Sequence, residues 1–216
     1  MEQITEDIDL KKFKGNVAEL KTLLFKDENL KLILRNEMQQ ALKECKIEIE
    51  KKFWEQLKNT LSNQGYEFNY VNYKLEIKSD LDTKIENQNI YYGLACKLMD
   101  IDDKYAIHLY IEKEPNITYG LTISENNIRE PISKKKQFLE YLHKTANLCD
   151  WTTNNEDKDN PWWLHWNYPK NKLNFREFTS ESILKLIEDI YNNGNNKIID
   201  QLSNEIIDLL IKFKTI

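Results

Sequence analysis

The sequence predicts a mixed α+β domain, and three observations lead to this fold class. Apolar residues recur at steps of three and four through positions 27–63, as they do along one face of a helix. After Gly65 the apolar period changes to two, which is typical of half-buried strands. The connections between these strands are too short for a crossover, so neighbouring strands must be antiparallel. We expect a long amino-terminal helix or helical hairpin, an antiparallel β-meander of about five strands, and carboxyl-terminal helices packed on the sheet.

The long helical repeat is the clearest feature of the chain. Asp27 is placed to cap its amino end, and Gly65 is placed to stop it after Asn63. A continuous helix of about 36 residues would be about 54 Å long, which is more than a small domain covers, so part of it should meet a partner or a second copy. A shorter helix at 17–25 would form the other arm of a hairpin. The apolar stripe consists of Leu30, Leu34, Met38, Ala41, Cys45, Ile49, Phe53, Leu57 and Leu61.

The remaining elements follow from alternation and from turn residues. One face of the meander is expected on the core, and its predicted strands cover 66–70, 73–78, 90–98, 105–111 and 117–123. A helix at 134–147, an acidic, Asn-rich loop at 148–161 and a short aromatic strand at 162–168 follow. Two helices then close the chain, one at 179–191 capped by Thr179 and one at 196–213. We expect residues 1–64 to form a helical amino-terminal arm and residues 65–216 to form the α+β domain.

The charges argue against direct binding of nucleic acid. The chain carries 31 basic and 36 acidic side chains, for a net charge of -5. The whole acidic excess lies in residues 63–216, which would repel a phosphate polyanion. Of the basic residues only Arg35, Arg129 and Arg176 are arginine, the side chain best suited to phosphate and guanine contacts.

The sequence indicates no membrane-spanning segment, no set of disulfide bonds and no zinc site. No apolar run reaches the roughly 18 to 20 residues of a membrane helix, and the first residues lack the pattern of a secretion signal. We therefore expect a cytoplasmic protein. Cys45, Cys96 and Cys149 are far apart, without Cys/His zinc spacing, and are expected to be small buried thiols. No cofactor and no metal site is predicted.

Candidate catalytic groups are poorly arranged. His108, His143 and His165 have no neighbouring nucleophile in a recognised motif. One spacing resembles that of a metal-dependent nuclease, namely Glu76 and Lys78 on a strand, where the carboxylate would hold a metal and the lysine would support an attacking water. The acidic ligand that such a site needs on the preceding strand is not evident. The chain is therefore expected not to be an enzyme, with a divergent nuclease using these two residues as the alternative.

The strongest candidate for partner binding is the tryptophan-rich segment near residue 163. Four of the five tryptophans lie at 151, 162, 163 and 166, after a long polar loop. If the segment is a strand, both of its faces are buried only when the sheet covers one face and a helix covers the other. We expect an exposed face to bind a protein partner, since tryptophan dominates binding hot spots, through Trp151, Trp163, His165 and Asn167. The alternative is that the rings are core.

Short aromatic and glycine-containing segments between residues 30 and 216 carry a family resemblance. They are 65–68 (GYEF), 90–94 (IYYGL), 117–124 (ITYGLTIS), 162–164 (WWL) with Trp166, Tyr168 and Pro169, and 173–175 (LNF). Together they resemble the carboxyl-terminal region of bacterial PD-(D/E)XK nuclease family proteins. The resemblance implies an accessory module without the nuclease core, so no catalytic residue is carried over.

The leading functional hypothesis is a non-enzymatic interaction or regulatory module that acts on a nucleic-acid enzyme. Its acidic surface is suited to the basic channel of a nuclease, as in inhibitors of CRISPR effectors, antirestriction proteins and antitoxins. Two alternatives remain, a divergent metal-dependent nuclease and a nucleic-acid recognition module of a nuclease complex. Self-association through the long helix is a further possibility.

Overall fold

A computed structural model describes residues 28–72, 92–114, 116–125, 128–130, 141, 145, 162–191 and 197–215. Its elements, in chain order, are helix α1 (Glu28–Asn63), strands β1 (Asn69–Asn72), β2 (Tyr92–Asp100), β3 (Tyr105–Glu114), β4 (Asn116–Glu125), β5 (Ile128–Glu130) and β6 (His165–Asn167), and helices α2 (Glu181–Tyr191) and α3 (Lys197–Phe213). The α+β fold class is confirmed. The predicted helix at 17–25, the strand at 73–78, most of the helix at 134–147 and the loop at 148–161 lie outside the described residues.

Helix α1 has the predicted length of 36 residues and ends as expected. Gly65 follows it with a φ of 85°, a left-handed conformation that glycine adopts without strain, and its N–H donates to the carbonyl of Ser62. The apolar stripe has two different environments. Phe53, Leu57 and Leu61 are fully buried, whereas Met38 and the neighbouring Leu42 are 65% and 59% exposed.

The chain divides into two compact units between Lys46 and Ile47. This boundary between compact units lies within α1, and the predicted division into an arm at 1–64 and a domain at 65–216 stays a prediction. The boundary has a physical reason, since Ile49, Trp54 and the following apolar residues of the helix belong to the core of the second unit.

The six strands form one antiparallel sheet in the order β1-β2-β3-β4-β5, so the predicted meander is confirmed. β1 pairs with β2, and β3 pairs with β4 along its whole length. β5 and β6 lie one after the other along the remaining edge of β4, at residues 123–125 and 119–121 respectively. The acidic turn between β2 and β3 is held by Asp102, whose carboxylate accepts from the N–H groups of Lys104 and Tyr105, each at 2.8 Å.

One face of the sheet, called the core face here, carries the apolar side chains that the alternation predicts. Tyr92, Leu94 and Cys96 of β2 face the same cluster as the alternate residues of β3 and β4. The second half of α1 together with α2 and α3 supplies the opposing layer. The inward residues of α3 include those predicted, namely Ile198, Ile199, Leu202, Ile206, Leu209 and Leu210. The cap of α2 is one residue later than expected, because the N–H of Leu184 donates to the carbonyl of Ser180 and not to that of Thr179.

A buried polar network joins α1 to β2 and β3. The Tyr92 hydroxyl donates to the Glu50 carboxylate and accepts from the Trp54 indole N–H at 3.2 Å. Lys113 of β3 forms an ion pair with the same carboxylate. Burial, followed by the negative charge of Glu50, raises the pKa of Tyr92 far above its ordinary value, so the hydroxyl remains a donor at all physiological pH values.

The cysteine expectation holds in part. Cys96 is buried and free, and burial raises the pKa of its thiol to about 11, so the thiol is unreactive. The expectation that Cys45 is buried is wrong, because it lies on the exposed part of α1. Cys149 lies outside the described residues. No helix in the described ranges is long and apolar enough to cross a membrane.

Replacing Leu109, which is fully buried on the core face of β3, by alanine should lower the free energy of unfolding by about 2 to 5 kcal/mol, because the change leaves a cavity. The matched control is Leu184→Ala on α2, where the side chain is half exposed and the loss should be below about 1 kcal/mol. Urea titration monitored by circular dichroism measures both. Equal losses would contradict this assignment of the core face.

Candidate functional site

The face of the sheet opposite the core face, called the second face, is polar and buried. It carries His108, Glu112, Thr122 and Ser124, each less than a tenth exposed. The eight inner residues of β4 are all buried, so this strand is covered on both sides. Alternation in the sequence predicts one buried face but does not indicate that the second is buried as well. A signal was present, since Ile117–Ser124 contains no charged residue, as is typical of a strand covered on both faces.

Arg129 of β5 is the centre of this face and is 8% exposed. Its Nη1 donates to the Glu112 carboxylate at 2.9 Å, forming an ion pair in which both partners are buried. Its Nε–H donates to the Thr122 hydroxyl at 3.1 Å and to the carbonyl of Trp162 at 3.3 Å. The Thr122 hydroxyl in turn donates to that carbonyl at 2.7 Å. The guanidinium is therefore fixed by one charged and two neutral partners.

Two aromatic rings lie close to the guanidinium group. Its central carbon lies 4.1 Å from the ring centre of Trp163 and 5.2 Å from that of Tyr110. These two rings stack on each other, with centroids 5.8 Å apart and planes 20° from parallel. Attraction between a cation and an aromatic ring is strengthened where water is excluded, so the rings stabilise the buried charge. We call Arg129, Glu112, Thr122, Tyr110 and Trp163 the arginine cluster.

The arginine cluster depends on a close approach of chains at Gly120 of β4. A Cβ atom at this position would lie 2.9 Å from the Trp163 ring and 2.7 Å from the Cα of Trp166, and it would also collide with the carbonyl of His165. Only glycine leaves room for the tryptophan-rich segment to cross here. The glycine therefore sets the position of the ring that covers Arg129.

His108 and Ser124 form a second polar pair on this face. The Ser124 hydroxyl and His108 Nδ1 are 3.2 Å apart. Burial lowers the pKa of His108 to about 4, so its imidazole is neutral at pH 7. A serine beside a neutral histidine is a potential nucleophile pair, but both side chains are buried. The pair satisfies two buried polar groups.

The structure places the predicted partner-binding residues in different environments. The expectation that Trp163 lies on an exposed face is wrong, because it is 4% exposed and packs with Tyr110, whereas the neighbouring Trp162 is 40% exposed. His165 is also buried. The physical reason is that Gly120 has no side chain, so the tryptophan-rich segment can pack directly against β4. The ring of Trp163 lies where a side chain at position 120 would be.

Other predicted site residues are partly exposed or lie outside the described residues. Asn167 is partly exposed, and its side-chain oxygen accepts from the N–H of Tyr168 at 2.9 Å. The described residues do not include Trp151, Glu76 and Lys78, so the roles of these three residues stay predictions. Among the described residues, no group of three or more His, Cys, Asp and Glu side chains is arranged to hold a metal ion.

Sequence reasoning missed Arg129 and Glu112 as site residues. They are not neighbours in sequence, and β5 is too short for alternation to reveal it. A weak signal was available, since Arg129 is one of three arginines in a lysine-rich chain, and arginine is preferred for buried ion pairs and for stacking on rings.

Comparison with known proteins gives no relative for this chain, because no protein-family model, curated protein or solved structure matches it. The chemistry of the site therefore rests on its own geometry. The arginine cluster contains a fixed cation, its carboxylate partner, a hydroxyl group and two aromatic rings, and all of these side chains are buried.

Trp163→Ala should lower the free energy of unfolding by about 3 to 5 kcal/mol, because it removes a buried ring and uncovers Arg129. Trp162→Ala is the matched control and should cost less than about 1 kcal/mol, because that side chain is partly exposed and its carbonyl, which the cluster uses, is retained. Chemical denaturation measures both variants. A Trp163→Ala protein as stable as Trp162→Ala would contradict the assignment of Trp163 to the core.

The free energy of unfolding should fall by about 2 kcal/mol between pH 7 and pH 5 because His108 takes up a proton on unfolding. The pKa of His108 is about 4 in the folded protein and near the ordinary 6.5 when unfolded, so the unfolded chain binds more protons in this window. The contribution is complete above pH 6.5 and is lost as the pH falls towards 4. His108→Gln, which retains a hydrogen-bonding group, should show a flatter profile in urea titrations at each pH. Identical profiles would show that His108 is not responsible.

Proposed function

We propose that this protein is a non-enzymatic interaction module that acts on a nucleic-acid enzyme in the cytoplasm, as a nuclease-system accessory protein or an inhibitor of a defence nuclease. The observation that carries the proposal is the exposed apolar surface of α1 within residues 31–46. Leu32, Ile33, Met38 and Leu42 are each more than half exposed there. Exposed apolar side chains that adjoin one another indicate an interaction site, and of these four Met38 and Leu42 adjoin.

The stripe of α1 consists of apolar side chains both where it is buried and where it is exposed. Met38 and Leu42 are four residues apart, so they lie one above the other on the same side of the helix. Ile49, seven residues after Leu42, continues this side and is buried. A helical row of apolar anchors is the element that many partner proteins accept in an apolar groove. We name Met38 and Leu42 the helix anchors.

Charge supports a basic partner. The net charge is -5, and the acidic excess lies in residues 63–216. An acidic protein is attracted to the positive channel in which a nuclease holds its substrate, and complementary charge raises the rate of association. The resemblance of short sequence segments to the region that accompanies PD-(D/E)XK nucleases, which stays an expectation from the sequence alone, points to the same class of partner. Direct binding of nucleic acid is disfavoured by the same charges.

Replacing both helix anchors, as Met38→Glu with Leu42→Glu, should reduce recovery of the partner at least about tenfold, since hot-spot residues each contribute about 2 kcal/mol or more. The experiment uses the full chain as bait in lysate of the native host, with captured proteins identified by mass spectrometry and tested for nuclease activity. The matched control is Leu184→Glu with Ile211→Glu, two half-exposed apolar residues on α2 and α3 that receive the same added charge.

Two outcomes would contradict the proposal. The first is that the wild-type chain captures no nuclease or defence-system protein. The second is that both double variants capture it equally well, which would remove the role of α1. Size-exclusion chromatography with light scattering, run on the same proteins, shows whether the helix anchors pair two copies of the chain. A dimer that the anchor variant converts to monomer, with no nuclease captured, would replace the proposal with self-association.

A further inference from the structure

The exposed part of α1 has the residue spacing of a coiled coil. Leu34, Met38, Ala41 and Cys45 follow one another at steps of four, three and four residues, which is the spacing at which one helix packs along another. Leu34 is partly buried, and the other three are exposed. Ala41 and Cys45 are small, so a second helix could approach closely. We call these four residues the seam, and the helix anchor Leu42 lies beside it.

The part of α1 that carries the seam has little packing of its own. Every side chain from residue 35 to residue 46 is exposed. A helix of this length is only marginally stable in water by itself, and most helices in proteins are stabilised by packing of an apolar face. A second helix along the seam would supply that packing.

The charges beside the seam differ between its two sides. At about 100° per residue around the helix, Glu37 and Glu44 lie on one side of the seam, and Arg35 and Lys46 lie on the other. All four side chains are exposed. Each acid is two residues from one of the bases, a distance of about 3 Å along the helix axis. The seam therefore has an acidic flank and a basic flank whose charges lie at nearly equal heights.

This division of charge favours one orientation of a helix pair. Two parallel copies of the helix, related by a two-fold axis along the pair, place the acidic flank of each copy beside the basic flank of the other. Antiparallel copies place acidic beside acidic and basic beside basic, where like charges repel. Charges that flank a seam set the choice of partner and its orientation in coiled coils. The flanks of α1 are complementary to those of a parallel second copy.

We propose that α1 pairs in parallel with α1 of a second copy along the seam, and that the resulting homodimer covers the helix anchors. The pairing depends on this chain alone. Its consequence for the nuclease partner rests on the proposed function, because the second copy and that partner would occupy the same surface. The two therefore compete, and the chain binds its partner as a monomer.

Charge reversal tests the pairing on the purified full chain. The wild-type chain should be a dimer that dissociates on dilution, measured by size-exclusion chromatography with light scattering. Glu37→Lys with Glu44→Lys makes both flanks basic, and Arg35→Glu with Lys46→Glu makes both flanks acidic. Each double variant alone should dimerise at least about tenfold more weakly, because like charges then meet. An equal mixture of the two should form a heterodimer with about the wild-type affinity, because opposite charges meet again.

Cross-linking tests the parallel orientation. A parallel pair places the two Cys45 thiols opposite each other, so a short bismaleimide should join two copies through this residue. An antiparallel seam would bring Cys45 opposite Leu34 of the second copy. Cys45→Ser should abolish the cross-linked dimer. Adding Gln40→Cys to that variant returns a thiol on the far side of the helix and should not restore the dimer.

Capture from host lysate tests the competition. The dimer cross-linked through Cys45 should recover at least about tenfold less nuclease than the untreated chain, because its helix anchors are covered. Equal recovery would overturn the competition. If the lysate yields no nuclease, the proposed function fails, but the pairing is still decided by the measurements on the purified chain.

Three results would overturn the pairing itself. The first is a wild-type chain that stays monomeric at every concentration. The second is an equal loss of dimer in the matched control Glu181→Lys with Glu188→Lys, which makes the same charge change at two exposed residues of α2. The third is a dimer that the bismaleimide does not cross-link through Cys45. A dimer lost in both flank variants and recovered in their mixture supports the pairing.

Discussion

The burial of β4 on both faces is the constraint on which the rest of the structure depends. A strand covered on one side can direct its polar residues to water, but the polar residues of β4 have no contact with solvent because both sides are covered. Each must find a partner inside the protein, because an unpaired polar group there is costly. Thr122 therefore bonds to Arg129 and Ser124 to His108. The arginine cluster is thus a direct result of how this one strand is enclosed.

The two faces of the sheet are stabilised in different ways. The core face relies on apolar area contributed by α2, α3 and the second half of α1, and it includes the buried carboxylate of Glu50 with its partners Tyr92 and Lys113. The second face relies on directed contacts around Arg129. Directed contacts of this kind lose their value when one member is displaced, whereas apolar packing tolerates small shifts.

Much of the architecture could be predicted from the sequence, because it depends on local periodicity. The length of α1, the inward residues of α3 and the core-facing residues of β2, β3 and β4 all follow from periods of two and of three to four. The burial of Trp163 could not be predicted, since it depends on Gly120, which is far away in sequence. The ion pair of Arg129 with Glu112 likewise joins two strands whose proximity no local pattern records. Periodicity also cannot distinguish a stripe that packs on its own core, as at Leu57, from one that remains exposed, as at Met38.

The edge of β4 opposite β3 has a consequence for the order in which the chain folds. β2, β3 and β4 pair with their sequence neighbours and need only short loop closures, so they can associate early. Segments later in the chain form most of the hydrogen bonds along this edge of β4. The N–H of Leu164 donates to the carbonyl of Leu121, and the N–H of Ile117 donates to the carbonyl of Leu173. During synthesis this edge stays open until those residues leave the ribosome, and an open strand edge can pair with another chain. Translation speed across residues 126–173 therefore sets how long the nascent chain is exposed to aggregation.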